Sequence, residues 1–157
     1  IKLLENTNMT KVYKMPVLMA FYNHGDVRME VTETELLTSW KEFFSTGTNW
    51  KDLDTGITYE QYCKISDKDH IKRIIKMPVN FLVKSGKGFF VKKEDSTLAL
   101  RDEMKEIIKN SVLAKQMKDV IEYRVMDYYR KRYIDYIKEA TCMKEAYNYA
   151  KDFNELL

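Results

Sequence analysis

The feature that most constrains the fold is a helix start at Thr32. Thr32 and Glu35 have the spacing of a capping box, in which a hydroxyl and a carboxylate bond to the free amides of a first helical turn. Bulky apolar side chains follow at intervals of three and four, which places them on one face of a helix. They are Leu36, Leu37, Trp40, Phe43 and Phe44. The pattern predicts a helix that ends near Gly47 and buries this face in a core.

Two further elements are predicted before this helix. Proline is tolerated at a first helical position, so Pro16 and the apolar residues 17–21 behind it predict a short helix. Residues 27–31 alternate between apolar and polar side chains, which indicates a half-buried strand. Its apolar members are Val27, Met29 and Val31.

A long connection and a second helix are predicted next. Residues 46–65 contain two glycines, Gly47 and Gly56, and polar residues such as Asn49, which together favour a long, partly ordered connection. A cap signal at Ser66 opens a helix over residues 68–76. Because proline lacks the amide hydrogen that a helix interior needs, Pro78 breaks or restarts this helix, which then continues to a stop at Gly86.

The rest of the chain is predicted to be a hairpin followed by helices. Residues 89–91 and 97–101 are β-prone runs on either side of a polar turn. Beyond the hairpin, apolar residues recur at helical spacing. They predict a short helix to Asn110, a long one over about 112–138 and a last one over about 143–153.

This order of elements predicts a mainly α fold with a small β component, in the α+β class. A winged helix-turn-helix has the order helix, strand, two helices and a two-stranded hairpin. In such a domain one helix enters the major groove of DNA and the hairpin reaches the backbone. We expect a winged helix-turn-helix-like domain over residues 1–102, with an N-terminal arm over 1–12. A helical extension over residues 103–157 is expected to pack on it.

The basic residues are concentrated in one part of the chain. The formal net charge is +3, but nine basic and two acidic residues between Lys64 and Lys93 give that segment +7 and leave −4 for the rest. A basic segment on an acidic body is typical of a surface that binds a polyanion, although a solvated lysine-rich face explains the count equally well. The segment covers the predicted recognition helix and hairpin, which favours nucleic-acid binding.

The candidate nucleic-acid contacts lie on three elements. The recognition-helix candidates are Lys72, Arg73, Lys76, Asn80, Lys84 and Lys87, and the hairpin candidates are Lys92 and Lys93. The cations would bind phosphates, whereas Asn80 is the polar side chain that could read a base edge. The six residues 128–133 add three tyrosines and three cations, Arg130, Lys131 and Arg132. We predict that these rings face inward and that these cations contact phosphates.

We find no complete catalytic motif in the sequence. Ser85–Gly88 superficially resembles a phosphate-binding loop, but Phe81 stands where that loop needs glycine. Residues 103–105 match the acid-x-Lys core of metal-dependent nucleases, yet they open a predicted helix, where carboxylates commonly complement the dipole. The two cysteines and two histidines lack the spacing of a disulfide framework or a zinc site. We predict no catalytic residue, no metal and no cofactor.

The composition also favours a location. No apolar run reaches the roughly 18 residues of a membrane-spanning helix, and no secretory signal opens the sequence. Cysteines without a disulfide pattern favour the reducing cytoplasm. Because the chain begins at Ile1 rather than Met, the sequence indicates a part or a processed form of a larger protein.

Several apolar and aromatic blocks together resemble a known family. They are Met15–Phe21, Ser39–Ser45, Pro78–Leu82 running into Phe89-Phe90, and Tyr123-Arg124 followed by Tyr128-Tyr129. Across most of the chain these blocks resemble the C-terminal region appended to DEAD/DEAH-box superfamily-two helicases of Firmicutes and their phages or mobile elements. The resemblance implies an accessory domain that grips or positions DNA beside an ATP-dependent motor. The family's ATPase motifs belong to other domains, so no catalytic residue is carried over.

The leading hypothesis is a non-catalytic nucleic-acid-binding accessory domain of a helicase-like ATPase. Its expected partners are DNA or RNA and the motor domains of the parent helicase, and no membrane is involved. The alternative is a protein-interaction module that docks on the motor domains or another partner through the helical tail. A clustered positive face favours the first hypothesis, and a large exposed apolar patch favours the second. A free-standing nuclease is the weakest of the three.

Overall fold

The computed structural model describes residues 1–6, 9–86, 88–94 and 98–155, with residues 134–155 described by their backbone. The helices are α1 (Lys2–Asn6), α2 (Lys14–Met19), α3 (Glu33–Ser45), α4 (Tyr59–Cys63), α5 (Asp67–Ile74), α6 (Asn80–Ser85) and α7 (Ser111–Glu155). The strands are β1 (Tyr22–Asn23), β2 (Asp26–Val27), β3 (Glu30–Val31), β4 (Phe90–Lys92) and β5 (Leu98–Leu100). The predicted mainly helical α+β class is confirmed.

Helix α3 forms as its cap predicts. The Thr32 hydroxyl accepts a hydrogen bond from the Glu35 amide at 3.3 Å, and the Glu35 carboxylate accepts one from the Thr32 amide at 2.8 Å. The buried face of α3 packs against α2 and α5. There the ring of the fully buried Trp40 lies 5.3 Å from the Tyr13 ring and 4.6 Å from the Phe44 ring, centre to centre. Burial of such large apolar side chains is the main force that holds these helices together.

Two short strands, β2 and β3, stand in two different antiparallel sheets where one strand was predicted over residues 27–31, so that prediction is wrong in extent. Strands β1 and β2 form a hairpin whose two turn residues, His24 and Gly25, have φ angles of 47° and 104°. Positive φ at both positions gives a turn whose twist matches that of the strands. Strand β3 belongs to a second sheet of order β3-β5-β4.

The predicted antiparallel pairing of the two β-prone runs after residue 88 is confirmed, whereas residues 95–97 between them lie outside the described residues. Strands β4 and β5 pair in antiparallel register with Phe90 opposite Leu100 and Lys92 opposite Leu98. The end of α6 approaches β4 closely at Gly86, where a Cβ atom would lie 2.8 Å from the Phe90 ring and 2.6 Å from the carbonyl oxygen of Leu82. Only glycine fits such an approach, which explains why the helix stops there.

The N-terminal and connecting helices differ from the prediction. Helix α2 begins at Lys14, so Pro16 occupies its third position instead of its first. The predicted connection over residues 46–65 contains a 3-10 turn at Asn49–Asp52 and the short helix α4. The sequence does carry a local signal for α4, because Thr58 and Gln61 form a second capping box.

The C-terminal helices also differ. Two 3-10 turns, Asp102–Met104 and Ile107–Lys109, stand where a short helix was predicted. The two helices predicted after them are one helix, α7, because no proline or glycine interrupts the sequence between Ser111 and Glu155.

The chain divides into two compact units, Ile1–Glu122 and Tyr123–Leu157. In the first unit Ala114, Met117 and Ile121 of α7 are buried at helical spacing. The first unit therefore includes the first turns of α7, and the domain boundary at residue 102 stays a prediction. In the described part of the chain, no helix combines the length and the apolar character needed to cross a bilayer.

Candidate nucleic-acid interface

The predicted recognition helix is built from α5 and α6. The Ser66 hydroxyl accepts a hydrogen bond from the Asp69 amide at 3.2 Å, which caps α5 as predicted. Asp67 and Asp69 lie in the first turn, where negative charge complements the helix dipole. A π turn over Ile75–Val79 joins α5 to α6, so the backbone stays helical from Asp67 to Ser85.

Pro78 is accommodated by this π turn and does not break the helix. A proline ring inside an α-helix clashes with the carbonyl four residues earlier, and its nitrogen cannot donate. A π turn widens the helix locally and relieves both conflicts. Pro78 and Val79 are buried, so the π turn packs its apolar side chains into the core. The outer face of the helix remains exposed across the turn.

Four exposed polar side chains follow the outer face at intervals of four. We call Lys72, Lys76, Asn80 and Lys84 the basic line. Residues four apart are neighbours on a helix surface, so the line runs along the helix. Within the described ranges, no carboxylate lies within ion-pair distance of its three ammonium groups. These cations are therefore solvated and able to meet an anion.

Arg73 lies beside the basic line in sequence but has a different role. Its guanidinium donates to both carboxylate oxygens of Asp54, at 2.9 and 2.7 Å, and to the carbonyl oxygen of Leu53 at 2.9 Å. These hydrogen bonds lower the pKa of Asp54 and raise that of Arg73. The Tyr13 hydroxyl donates to the same Leu53 carbonyl. Arg73 thus ties α5 to the segment before α4 and is not free to bind phosphate.

His70 anchors the inner face of α5. The Trp40 indole N–H donates to Nδ1 of His70 at 3.1 Å, so this nitrogen is unprotonated in the fold. Burial is the main cause that lowers the pKa of His70 below its usual value, and the charges of Lys41 and Arg73 add to the effect. His70 is buried, and the sequence around it gives no signal of this because its hydrogen-bond partner, Trp40, lies 30 residues earlier in the chain.

An open groove borders the basic line. Its volume is about 900 Å³, and Lys64, Lys72 and Lys76 line it together with Asp54 and Asp69. Lys64 belongs to the basic segment of the sequence but pairs with Glu60 at 2.6 Å, so Lys72 and Lys76 are the lysines of this lining that lack a carboxylate partner among the described residues. The groove is thus lined by more basic than acidic side chains.

The hairpin lysines are placed separately from the groove. Lys92 ends β4 and is exposed, whereas the ammonium group of Lys93 forms an ion pair with Glu30 of β3. Neither belongs to the lining of the groove. Lys87 lies outside the described residues. The structure therefore brings the candidates on α5 and α6 together and leaves the hairpin candidates at another position.

The three C-terminal candidates belong to the second unit. Arg130 and Lys131 both form ion pairs with Asp127, at 2.9 and 2.6 Å. Arg132 donates to the Tyr128 hydroxyl at 2.7 Å, and its guanidinium carbon lies 5.5 Å from the centre of that ring. Each of these cations already has a partner on its own helix.

In the part of the chain that the structure describes, no three histidine, cysteine, aspartate or glutamate side chains come close enough to hold a metal ion. Comparison of the chain with protein-family models, curated proteins and solved structures returned no match. We therefore infer a function from the topology and from the arrangement of the charged side chains.

Proposed function

We propose that the first unit is a winged-helix domain that binds nucleic acid through α5 and α6. In a winged helix the first strand pairs with the last, and the hairpin formed by the last two strands is the wing. The order β3-β5-β4, with α3 to α6 between β3 and β4 along the chain, supports this topology. The helix that precedes the wing is the recognition element in such domains, and here it carries the basic line.

The observation that supports the proposal is that the lysines of the basic line are exposed and have no ion-pair partners among the described residues. Three lysines stand four residues apart, exposed and without carboxylate partners among the described residues. Surface lysines on a folded domain often pair with nearby acids, as Lys41 does with Asp67 at 2.8 Å. A helix face that keeps its ammonium groups unpaired favours binding of phosphates, because each contact releases counterions from the nucleic acid.

The direct test is fluorescence anisotropy with duplex DNA across a range of salt concentrations. Lys72→Glu combined with Lys76→Glu is expected to weaken binding at least tenfold at low salt. Each lost phosphate contact is expected to reduce the slope of log affinity against log salt by about 0.9. Lys105→Glu combined with Lys115→Glu is the matched control, since it changes the net charge equally at exposed positions away from the groove.

Two outcomes would contradict the proposed nucleic-acid binding. One is wild-type protein that binds neither DNA nor RNA at low salt. The other is an equal loss of affinity in the two double variants, because that result would assign binding to net charge instead of the basic line.

The role beside a helicase motor is part of the same proposal. Its support is the resemblance of the apolar and aromatic blocks to the region that follows helicase motors. A domain of this kind would hold DNA while an ATPase on the same parent chain moves it. The test is to measure DNA affinity and ATP-driven strand separation in a parent helicase that carries Lys72→Glu and Lys76→Glu. A loss of either would support this role, and unchanged activity would contradict it.

A second candidate function has its own observation in the second unit. Tyr123, Met126 and Tyr133 are 63%, 68% and 65% exposed, and their spacing puts them near one another on the surface of α7. Exposed large apolar side chains in a group favour a protein partner. Isothermal titration calorimetry against helicase motor domains tests docking, with Tyr123→Lys combined with Met126→Lys as the variant. Equal heats for wild type and variant would exclude this face.

A further inference from the structure

A second groove lies next to the basic line, on the neighbouring face of the same helix. Its volume is about 340 Å³, which falls in the range of roughly 300–1,000 Å³ typical of small-molecule pockets. The residues that line it are Thr10, Lys11, Tyr13, Lys14, Met77, Pro78, Phe81 and Ser85. Lys11 and Lys14 give this lining a positive charge, and it includes no carboxylate.

The main apolar feature of this groove is an exposed aromatic ring. Phe81 is 53% exposed, although phenylalanine is among the residues most often buried. Met77, four residues earlier, is 38% exposed, and Ser85 follows four residues later. The ammonium group of Lys14 lies 5.9 Å from the centre of the Phe81 ring. An exposed ring beside cations therefore stands one position along the helix from Asn80 of the basic line.

This arrangement matches the two requirements of an unpaired nucleotide. A nucleobase needs a flat apolar surface on which to stack, and its phosphate needs a cation nearby. Phe81 offers the first, and Lys84, which is exposed and has no carboxylate partner among the described residues, offers the second. A closed duplex presents phosphates but keeps its bases stacked on one another, so it could use the basic line and leave Phe81 unused.

We propose that Phe81 stacks on an unpaired base, so that the domain binds a junction between double- and single-stranded DNA more tightly than it binds a blunt duplex. This inference rests on the proposed function and specifies its substrate. The basic line holds the backbone, and the base stacks on the face of the Phe81 ring that Lys14 does not cover. A protein partner fits this groove less well, because binding it would desolvate the positively charged lining.

The experiment compares two probes in fluorescence anisotropy at one salt concentration: a blunt duplex, and the same duplex extended by unpaired thymidine arms. Wild-type protein is expected to favour the forked probe at least about fivefold, which is the lower end of what one stacked base contributes. Phe81→Leu keeps an apolar side chain but removes the ring, so it should abolish the preference while affinity for the blunt duplex is retained. Phe81→Tyr should keep the preference.

Two controls make the result specific. Tyr59→Leu removes another ring, which is 58% exposed and does not line this groove, and it should leave both affinities unchanged. A 2-aminopurine base placed at the first unpaired position should lose fluorescence on binding of wild type but not of Phe81→Leu, because stacking quenches it. Thermal melts of each variant verify folding.

The outcomes separate this inference from the proposed function. Equal binding of the two probes by wild type, or an equal loss of both affinities in Phe81→Leu, would overturn the stacking role and leave the basic line in place. Failure of wild type to bind either probe would overturn both.

Discussion

The two faces of the helix formed by α5 and α6 carry similar residues and do different work. On the inner face, His70 bonds to Trp40 and Arg73 bonds to Asp54. On the outer face, Lys72 and Lys76 contact no carboxylate among the described residues. A basic residue is therefore a candidate for ligand binding only where the fold leaves it without a partner. Substitutions on the inner face should change stability, and substitutions on the outer face should change binding.

The largest expected effect on stability is at Ile74, on the inner face of α5. Its side chain is 1% exposed, so Ile74→Ala leaves a cavity and should lower the free energy of unfolding by about 2–5 kcal/mol. Chemical denaturation followed by circular dichroism measures the change. The control is Lys72→Ala on the outer face of α5, which should change stability by less than about 0.5 kcal/mol. Equal losses in the two variants would show that the faces do not differ.

The fold was largely predictable because its elements have local signals. The capping box at Thr32 and the cap at Ser66 correctly predicted the starts of α3 and α5, and the polar turn predicted the hairpin. Helix α4 has a local signal of the same kind at Thr58, so it too was predictable from the sequence. The exact strand bounds were not predictable, since pairing with β5 decides where β3 lies.

The candidate site was predictable only in part, because ion pairing is not local. Arg73 and Lys76 are both basic residues of one helix, and the local sequence does not distinguish them. Asp54, 19 residues before Arg73, forms an ion pair with Arg73, whereas Lys76 stays exposed. In the same way Glu30 pairs with Lys93 across 63 residues. Phe81 gave no signal, because an apolar residue on an amphipathic helix is expected in the core, and its exposure depends on how the π turn orients α6.

A smaller loss of stability is expected at Arg73. Arg73→Met keeps much of the aliphatic volume and removes the hydrogen bonds to Asp54 and Leu53, which should cost about 1.5–3 kcal/mol, near the lower value because Asp54 is half exposed. Differential scanning fluorimetry and DNA anisotropy separate the two consequences. DNA affinity of the folded variant should match that of wild type. A tenfold loss of affinity with unchanged stability would instead place Arg73 among the ligand contacts.

The pH dependence of stability should report on His70. Because the folded pKa is lowered below the usual 6.5, the unfolded chain binds a proton at this residue before the folded chain does. Stability should therefore fall as the pH drops below about 6.5, by at most about 1.4 kcal/mol per pH unit, and stop falling from this cause below the folded pKa. His70→Gln keeps an acceptor for Trp40 but cannot titrate, so its unfolding free energy should depend less on pH in this window. Parallel curves for the two proteins would contradict the assignment.

The smallest effect on stability is expected for substitution of Lys84 on α6 or of Lys93 after β4. Lys84 on α6 has no carboxylate partner among the described residues, whereas Lys93 is paired with Glu30. Either substitution to alanine should change the free energy of unfolding by less than about 0.5 kcal/mol, since both side chains are exposed. Their effects on DNA binding should differ, because a solvated ammonium group contributes a phosphate contact at no cost to an existing ion pair. Lys84→Ala should reduce the salt slope by about 0.9, and Lys93→Ala should reduce it less. A larger reduction for Lys93→Ala would move the interface from the helix to the hairpin, because it would mean that DNA draws Lys93 away from Glu30.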